Sequence, residues 1–389
     1  MEGSRRRSIV VLAQYILRFL VVAGLLQFIE LSTKGRITQF IERIEPMIRR
    51  KIFRMKWFPP VLVAIDPVKA PNQALFDYFA RRVHFVNSYN EGMISRLLEL
   101  STEYPEAPVR PLRKVKRVGS PWEMSPSQRI NKSWEAETRD LLERMGIEIE
   151  TPVVLLAVRD PAYYEALQTD IGENAGTETL PDTYVRNPDI TTYLEAIMRL
   201  TNLGCTVIHF GSQTSRLPDP LKGVIVDYSG EHRTPKGDLL LARHCTMMMS
   251  GAAGTWALAS LFNRPVALSN LYVPFIGGVS KRDRQIPQLL RNREDGNYLS
   301  FLEMVKTGGR YSYQSNCEAD GIDLVKNSAE EIADLALEMH QRLSGTFAEL
   351  PGDSELHENF LKIQSLSLPP SYMHCPISTS FLRRHAALL

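Results

Sequence analysis

Cysteine is scarce in this chain, four residues in 389. That excludes a disulfide scaffold and suits a reducing compartment. His244-Cys245 and His374-Cys375 are adjacent pairs without a second spaced pair, so they fall short of a zinc ligand set. Several motifs are missing altogether. There is no G-x-x-x-x-G-K-[ST], which excludes a P-loop ATPase. There is no G-x-G-x-x-G after a strand, which excludes a dinucleotide oxidoreductase. There is no G-x-S-x-G elbow of the α/β-hydrolase kind. No Asp-x-Asp pair occurs, so the usual metal–diphosphate clamp is absent and no metal is expected. No repeat of fixed period is visible. With 44% hydrophobic and 23% charged residues, the chain is neither disordered, collagen-like nor a multi-span membrane protein.

Acidic residues are also scarce in the first 60 positions, which hold 12 Lys/Arg against 4 Asp/Glu, a charge of +8. The other 329 residues hold 34 and 40, a charge of −6, so the formal net of +2 hides a basic arm on a mildly acidic body. Residues 8–29 form an apolar run long enough to cross a bilayer, which takes about 20 residues. Arg18 sits in the middle of the run, at a cost of roughly 2.5–3.5 kcal/mol at the bilayer centre. Both flanks are basic, whereas a spanning helix has its positive flank on one side. From residue 31 to 57, Ile37, Phe40, Ile41, Ile44, Met47, Ile48 and Phe53 recur at helical spacing between basic residues. The pattern predicts an amphipathic helix on anionic lipid. A helix packed on the body, or a partner helix in a homo-oligomer, fits the same pattern. No aromatic stacking platform accompanies the basic residues, so nucleic acid is not an expected partner.

Past residue 57 the period switches. Val61 to Ile65 is a continuous apolar run, the pattern of a buried parallel strand. A helix over 70–82 and a strand over 83–86 complete a β-α-β unit, with a further helix around 91–100. Residues 101–135 carry five prolines and the cluster Arg113-Lys114-Val115-Lys116-Arg117, which reads as a linker. Strands are predicted over 152–158, 205–210, 224–227, 245–249 and 265–268. Helices are predicted over 133–145, 188–200, 238–244, 256–263 and 328–343. Such alternation means a parallel sheet covered on both faces.

Ligands of open parallel sheets bind at the carboxyl ends of strands. Four predicted strand ends are polar: Arg159-Asp160, with Tyr163 and Tyr164 beyond it; His209-Phe210-Gly211-Ser212; Ser250-Gly251-Ala252-Ala253-Gly254-Thr255; and Ser269-Asn270. The third places a strand, a Gly-containing turn and a helix start in sequence, so unpaired N–H groups and a helix dipole would face a phosphate there. A simple tight turn with Thr255 as N-cap fits the same residues. Arg159 and Arg186 are candidate anion ligands, or members of structural ion pairs.

These residues resemble a bacterial glycosyltransferase family tied to surface-polysaccharide synthesis. The resemblance rests on Val158-Arg159-Asp160-x-x-Tyr163-Tyr164 and on Tyr184-x-Arg186-Asn187-x-Asp189-Ile190-x-x-Tyr193. It continues through 207–212, Ile225-Val226-Asp227-Tyr228, the 250–255 turn, Arg264-Pro265-Val266, Asn270 and 321–339, and covers about 60–345. It implies the GT-B architecture: α/β, two Rossmann-like domains with parallel sheets, here with an N-terminal basic and hydrophobic helical arm. The implied division is a membrane-associating arm over 1–57, a small acceptor-side domain and linker over 58–135, a nucleotide-sugar-binding domain over 136–345 and a tail over 346–389.

The implied activity is metal-independent transfer of a hexosyl or deoxyhexosyl group from a nucleotide-sugar to a glycan or lipid-linked hydroxyl acceptor. No cofactor is implied; the nucleotide-sugar is a co-substrate, and the place of work is the cytoplasmic face of the cell membrane. Arg159, Arg186 and the 250–255 turn would hold the diphosphate, with Tyr163, Tyr184, Asn187, Gly211, Ser212 and Asn270 in the substrate site. The strand-end Arg also resembles that of GT-B fucosyltransferases, but Ala157 stands where those enzymes carry His. A base must take the acceptor proton, and Asp160 or Asp66, each at a strand mouth, is the candidate. A nucleotide-sugar epimerase of the same shape, or a non-catalytic membrane-bound scaffold, is the competing reading.

Overall fold

The computed structural model describes residues 27–30, 37, 41, 44–46, 48–49, 61–65, 72–80, 84–87, 132–160, 162, 185–211, 217–271, 277–366 and 375–389. The helix expected at 91–100, most of the proline-rich linker and most of the 8–29 run lie outside them. The chain divides into two compact units, 1–127 and 128–389. The boundary falls inside the predicted linker.

The first unit contains strands β1 (Gln27–Glu30), β2 (Val61–Ile65) and β3 (His84–Asn87), with helix α1 (Gln73–Ala80) between β2 and β3. They form a parallel sheet in the order β1-β2-β3. The predicted β-α-β unit is therefore present. Asn72 starts α1 by accepting the Leu75 N–H at 3.0 Å.

Strand β1 corrects the reading of the arm. The end of the apolar run is not helical; it pairs residue for residue with β2, Gln27 with Val61 through Glu30 with Ala64. An unbroken apolar run also suits a strand buried on both faces, and its length alone does not separate the two. The amphipathic stretch is helical at 41, 44–46 and 48–49, but Ile41, Ile44 and Ile48 are buried by the chain itself. Arg49, expected on a basic flank, is fully buried and donates to Glu45 at 2.7 Å. At Ile41, Ile44 and Ile48 the face read as lipid-binding is covered by protein, as in the packed-helix alternative. Among the described residues, no helix is long and apolar enough to cross a membrane.

The second unit opens with α2 (Lys132–Arg144) and β4 (Val153–Val158). A 3-10 turn at Ile190–Tyr193 leads into α3 (Leu194–Asn202), then β5 (Thr206–His209), β6 (Val226–Asp227) and α4 (Pro235–His244). Next come β7 (Met247–Gly251), α5 (Trp256–Leu261), β8 (Val266–Leu271), β9 (Arg284–Pro287) and β10 (Leu289–Asn292). The unit ends with α6 (Phe301–Lys306), α7 (Gln314–Ala319), β11 (Ile322–Val325), α8 (Ala329–Ser344), α9 (Asp353–Ser365) and α10 (Thr379–Arg384).

Six strands form one sheet in the order β6-β5-β4-β7-β8-β9, every pair parallel. Counted from β4 this is 3-2-1-4-5-6, the doubly wound order. Both faces are covered, because successive residues of β4 from Val153 to Ala157 are all buried. Val154, Leu156, Val207, Met247, Met249 and Ala267 share a core with α3 and α8. The alternate residues face the other way, the period-2 pattern of a strand. There α4 packs on β4 and α5 on β7, with α2 against α4.

The expected tail is part of this unit. Gln285 of β9 takes the Ser378 N–H at 3.0 Å and gives its own N–H to Pro376 at 3.1 Å, so residues 376–378 run parallel along the outer edge of β9. α10 then packs on α8 and α9.

Candidate functional site

Sheet order fixes where a ligand would lie. The chain leaves β4 toward β5 on one side and returns at β7 on the other, so the carboxyl ends of β4 and β7 flank the point where winding reverses. A crevice opens there in doubly wound sheets. Arg159 follows β4 directly, and its N–H bonds the Gly251 carbonyl at 3.1 Å, carrying the β4–β7 ladder one residue past the strand. Its side chain is largely buried, 9% exposed. Asp160 turns the chain away: its Oδ1 accepts the Ala162 N–H at 3.0 Å. One oxygen of the candidate base thus serves a local turn.

Strand β7 runs two residues further than the sequence suggested, through Ser250 and Gly251. The Ser250 hydroxyl donates to Ala253 O at 3.1 Å, bracing the turn. Ala252 sits at φ 54°, a left-handed conformation that costs an L-residue roughly 1–2 kcal/mol. Strain of this kind collects at functional sites.

Three local features define this turn. Packing alone requires a glycine at 251: a Cβ there would lie 2.1 Å from the Tyr193 hydroxyl and 3.0 Å from Pro188 Cγ. Thr255 is already helical at φ −65°, ψ −19° and makes no capping bond; its Oγ1 is buried and has no hydrogen-bond partner among the described residues. Helix α5 has only six residues, so the aligned dipole invoked for Gly254 and its neighbours is that of less than two turns.

Asn270 is bonded within the protein at every polar group. Its N–H bonds Asn327 Oδ1 at 2.6 Å, its Oδ1 takes the Asn327 N–H at 2.9 Å, and its Nδ2 reaches the Tyr193 hydroxyl at 3.3 Å. Its carbonyl accepts from Gln288 at 3.1 Å. At 1% exposure, it is a structural hub.

Arg186 lies in the scaffold as well. Its Nε donates to Ser312 O at 2.9 Å and its guanidinium stacks 4.7 Å from the Tyr313 ring. Part of the capacity assigned to anion binding is spent inside the protein. The neighbouring Asn187 holds Lys326, whose Nζ donates to the Asn187 carbonyl at 2.6 Å, while the Asn187 Oδ1 is buried with no hydrogen-bond partner among the described residues. Pro188, next along, touches Gly251. Lys326 therefore belongs to the neighbourhood of the β7 turn, although 138 positions separate it from Pro188 and no local signal ties them.

At the other side of β4, His209 ends β5 and Asp227 ends β6, paired in register with Leu156 of β4. His209 is 4% exposed, and its Nδ1 lies 3.1 Å from Asp227 Oδ1. The same oxygen accepts the Ser229 N–H at 3.0 Å and hydroxyl at 2.6 Å. Burial pushes the Asp227 carboxyl up, but these hydrogen bonds outweigh it and hold it below the usual carboxylate range. Gly211 follows at φ 120°, which explains a glycine at this strand mouth. Asp66, Tyr163, Tyr164, Tyr184 and Ser212 lie outside the described residues.

No known protein-family description and no curated protein matches the sequence. Several solved structures are similar, three of which follow. The glycosyl transferase family 9 protein of Veillonella parvula has a TM-score of 0.44 at 10% identity, over 82% of this chain and 97% of that one. The ADP-heptose LPS heptosyltransferase II of E. coli has 0.35 at 14%, over 67% and 89%. The iron-containing dodecameric glycosyltransferase TibC of enterotoxigenic E. coli has 0.36 at 12%, over 83% and 76%. All three are bacterial glycosyltransferases, the class that the sequence resembles. At these identities and TM-scores the likeness assigns no activity and no site residue to this chain.

Proposed function

We propose that the second unit binds a nucleotide-sugar and that the chain is a glycosyltransferase acting on a glycan or lipid-linked hydroxyl in surface-polysaccharide or glycolipid synthesis. The observation that carries this reading is the position of Arg159: a largely buried guanidinium at the reversal point of a 3-2-1-4-5-6 sheet, where such sheets take nucleotides.

Glycosyl transfer from a nucleotide diphosphate builds negative charge on the departing group. The main demand is a fixed positive group near it, preorganised and shielded from water. Arg159 fills that role without a metal, since a guanidinium matches two phosphate oxygens at once. Backbone N–H groups of the 250–255 turn would share the charge. The acceptor hydroxyl loses its proton to a carboxylate, Asp160 or Asp66. Given such an acceptor, the reaction would run at the cytoplasmic face of the cell membrane.

The test is a thermal-stabilisation screen of nucleotide-sugars, followed by transfer assays with the best donor. A ligand at 100 times its dissociation constant adds about 2.7 kcal/mol. Arg159→Ala should abolish the stabilisation. Unchanged affinity would remove the proposed role, and change of the sugar with no acceptor present would make the protein an epimerase instead.

A further inference from the structure

The carboxylate of Asp227 is used on one side only. His209 Nδ1, the Ser229 N–H and the Ser229 hydroxyl all converge on Oδ1. Among the described residues Oδ2 accepts no hydrogen bond, and the side chain is 41% exposed. Three partners on one oxygen fix the rotamer, so the second oxygen is held in place on a side chain that is exposed. That is how a protein presents an acceptor to a ligand: oriented in advance, with little freedom left to lose on binding.

The position of this acceptor decides its ligand. Asp227 ends β6, two strands from β4 in the same sheet. Asp227 stands level with Leu156, so two strand spacings across and three residues along put its Cα about 14 Å from that of Arg159. The two side chains, reaching toward each other with a nucleoside diphosphate between them, cover such a span from ribose to phosphate. In doubly wound sheets the nucleoside lies over the half that contains strands 1, 2 and 3, and an acidic residue there receives a ribose hydroxyl. The usual place for that acid is the end of the second strand, which here carries His209. His209 instead points its Nδ1 at Asp227, one strand farther out.

We propose that Asp227 Oδ2 accepts a ribose hydroxyl of the donor nucleotide, with His209 and Ser229 as the residues that position it. Asp227 thereby selects ribonucleotides over deoxyribonucleotides. The inference rests on the nucleotide-sugar reading above and adds a residue that distinguishes the sugar of the nucleotide from the sugar transferred.

The experiment measures affinity of the full chain for whichever of ADP, GDP, UDP and CDP stabilises it most, and for the 2′-deoxy and 3′-deoxy forms of that nucleotide. The wild-type chain should bind one deoxy form roughly tenfold to a hundredfold more weakly, the loss of one hydrogen bond to a charged group. Asp227→Asn keeps an oxygen for Ser229 and His209 but puts an amide N–H where Oδ2 stood, which offers the ribose hydroxyl only a neutral hydrogen bond, so the discrimination should shrink to roughly fivefold or less. Equal binding of all three forms by the wild type would overturn the role of Asp227 and leave the donor reading standing. The same holds if Asp227→Asn discriminates as sharply as the wild type. If the wild type binds none of the four diphosphates, the donor reading fails and this one with it. The wild-type comparison needs no variant, so a misfolded Asp227→Asn chain does not rescue the idea.

Discussion

Asn270 and Asn327 hold each other by two reciprocal bonds, each side chain accepting the other's backbone N–H, at 2.6 and 2.9 Å. The pair ties the end of β8 to the start of α8, and both residues are buried. Asn270 also sits at φ 54°, which Asn tolerates better than most residues. Asn327→Ala leaves the Asn270 N–H buried without its acceptor and should cost about 1–3 kcal/mol in denaturant unfolding. Asn270→Ala should cost more, since it adds the left-handed penalty. Asn270→Gly should fall between the wild type and Asn270→Ala. If Ala and Gly at 270 prove equal, backbone conformation has no part in the choice of Asn.

Gly251 and Tyr193 give a second prediction. A methyl group on Gly251 would meet the Tyr193 hydroxyl at 2.1 Å and its Cζ at 3.1 Å. Gly251→Ala should therefore destabilise by at least the roughly 1–3 kcal/mol of an overpacked core. Tyr193→Phe removes the nearest atom, at the expense of the bonds to Ser269 and Asn270. The double variant should be more stable than the two single losses predict, read as a positive coupling in a double-mutant cycle. Additive losses would mean that the strand shifts away from Tyr193 instead of clashing with it.

Five strands of the second unit and their order of appearance are legible in the sequence, because a parallel sheet covered on both faces is written as short apolar runs between helical periods; β9, β10 and β11 carry no such run and are not legible. Val153–Val158 and α3 fall within two residues of expectation at most ends. Arg159 is legible for the same reason: a charged residue directly after such a run must sit at the sheet edge. What periodicity does not carry is which strand ends meet. The roles of Asn270, Arg186 and Lys326 depend on partners 57, 126 and 139 positions away, and a polar residue at a strand end reads the same whether it faces ligand or core. The 27–30 strand is not legible, since an apolar run without internal punctuation does not show where a strand within it begins.

Asp283 predicts a pH dependence. Its carboxylate takes the N–H groups of Val266, Val279 and Ser280 at 2.8–3.0 Å. Burial outweighs these bonds and pushes the carboxyl up to about 6. An unfolded Asp titrates near 3.9, so the folded state binds the proton more tightly. The stabilisation is complete below about pH 4 and is lost as pH rises through 6, a change of roughly 3 kcal/mol. The difference in unfolding free energy between the wild type and Asp283→Asn, which cannot titrate, should fall by that order between pH 4 and 7. A difference that stays flat would show Asp283 to be ionised throughout.

Glu338 is the polar anchor of the C-terminal segment. From α8 it takes the Ser378 hydroxyl at 2.6 Å, the Ser380 N–H at 3.0 Å and Arg342 Nε at 2.9 Å, with Arg284 of β9 at 3.3 Å. Burial pushes its carboxyl up, but these donors outweigh it and hold it below the usual range. The folded value lies under the unfolded one, so its stabilisation is present at neutral pH and is lost as pH falls through the folded value. Glu338→Ala leaves two arginines without their buried partner and should cost about 3–5 kcal/mol. Because Ser378 is also where the chain pairs with β9, the losses at Glu338 and Ser378 should be coupled. Ser378→Ala in the Glu338→Ala background should cost clearly less than it does alone. Equal costs in both backgrounds would mean that edge pairing with β9 holds the segment without help from α8.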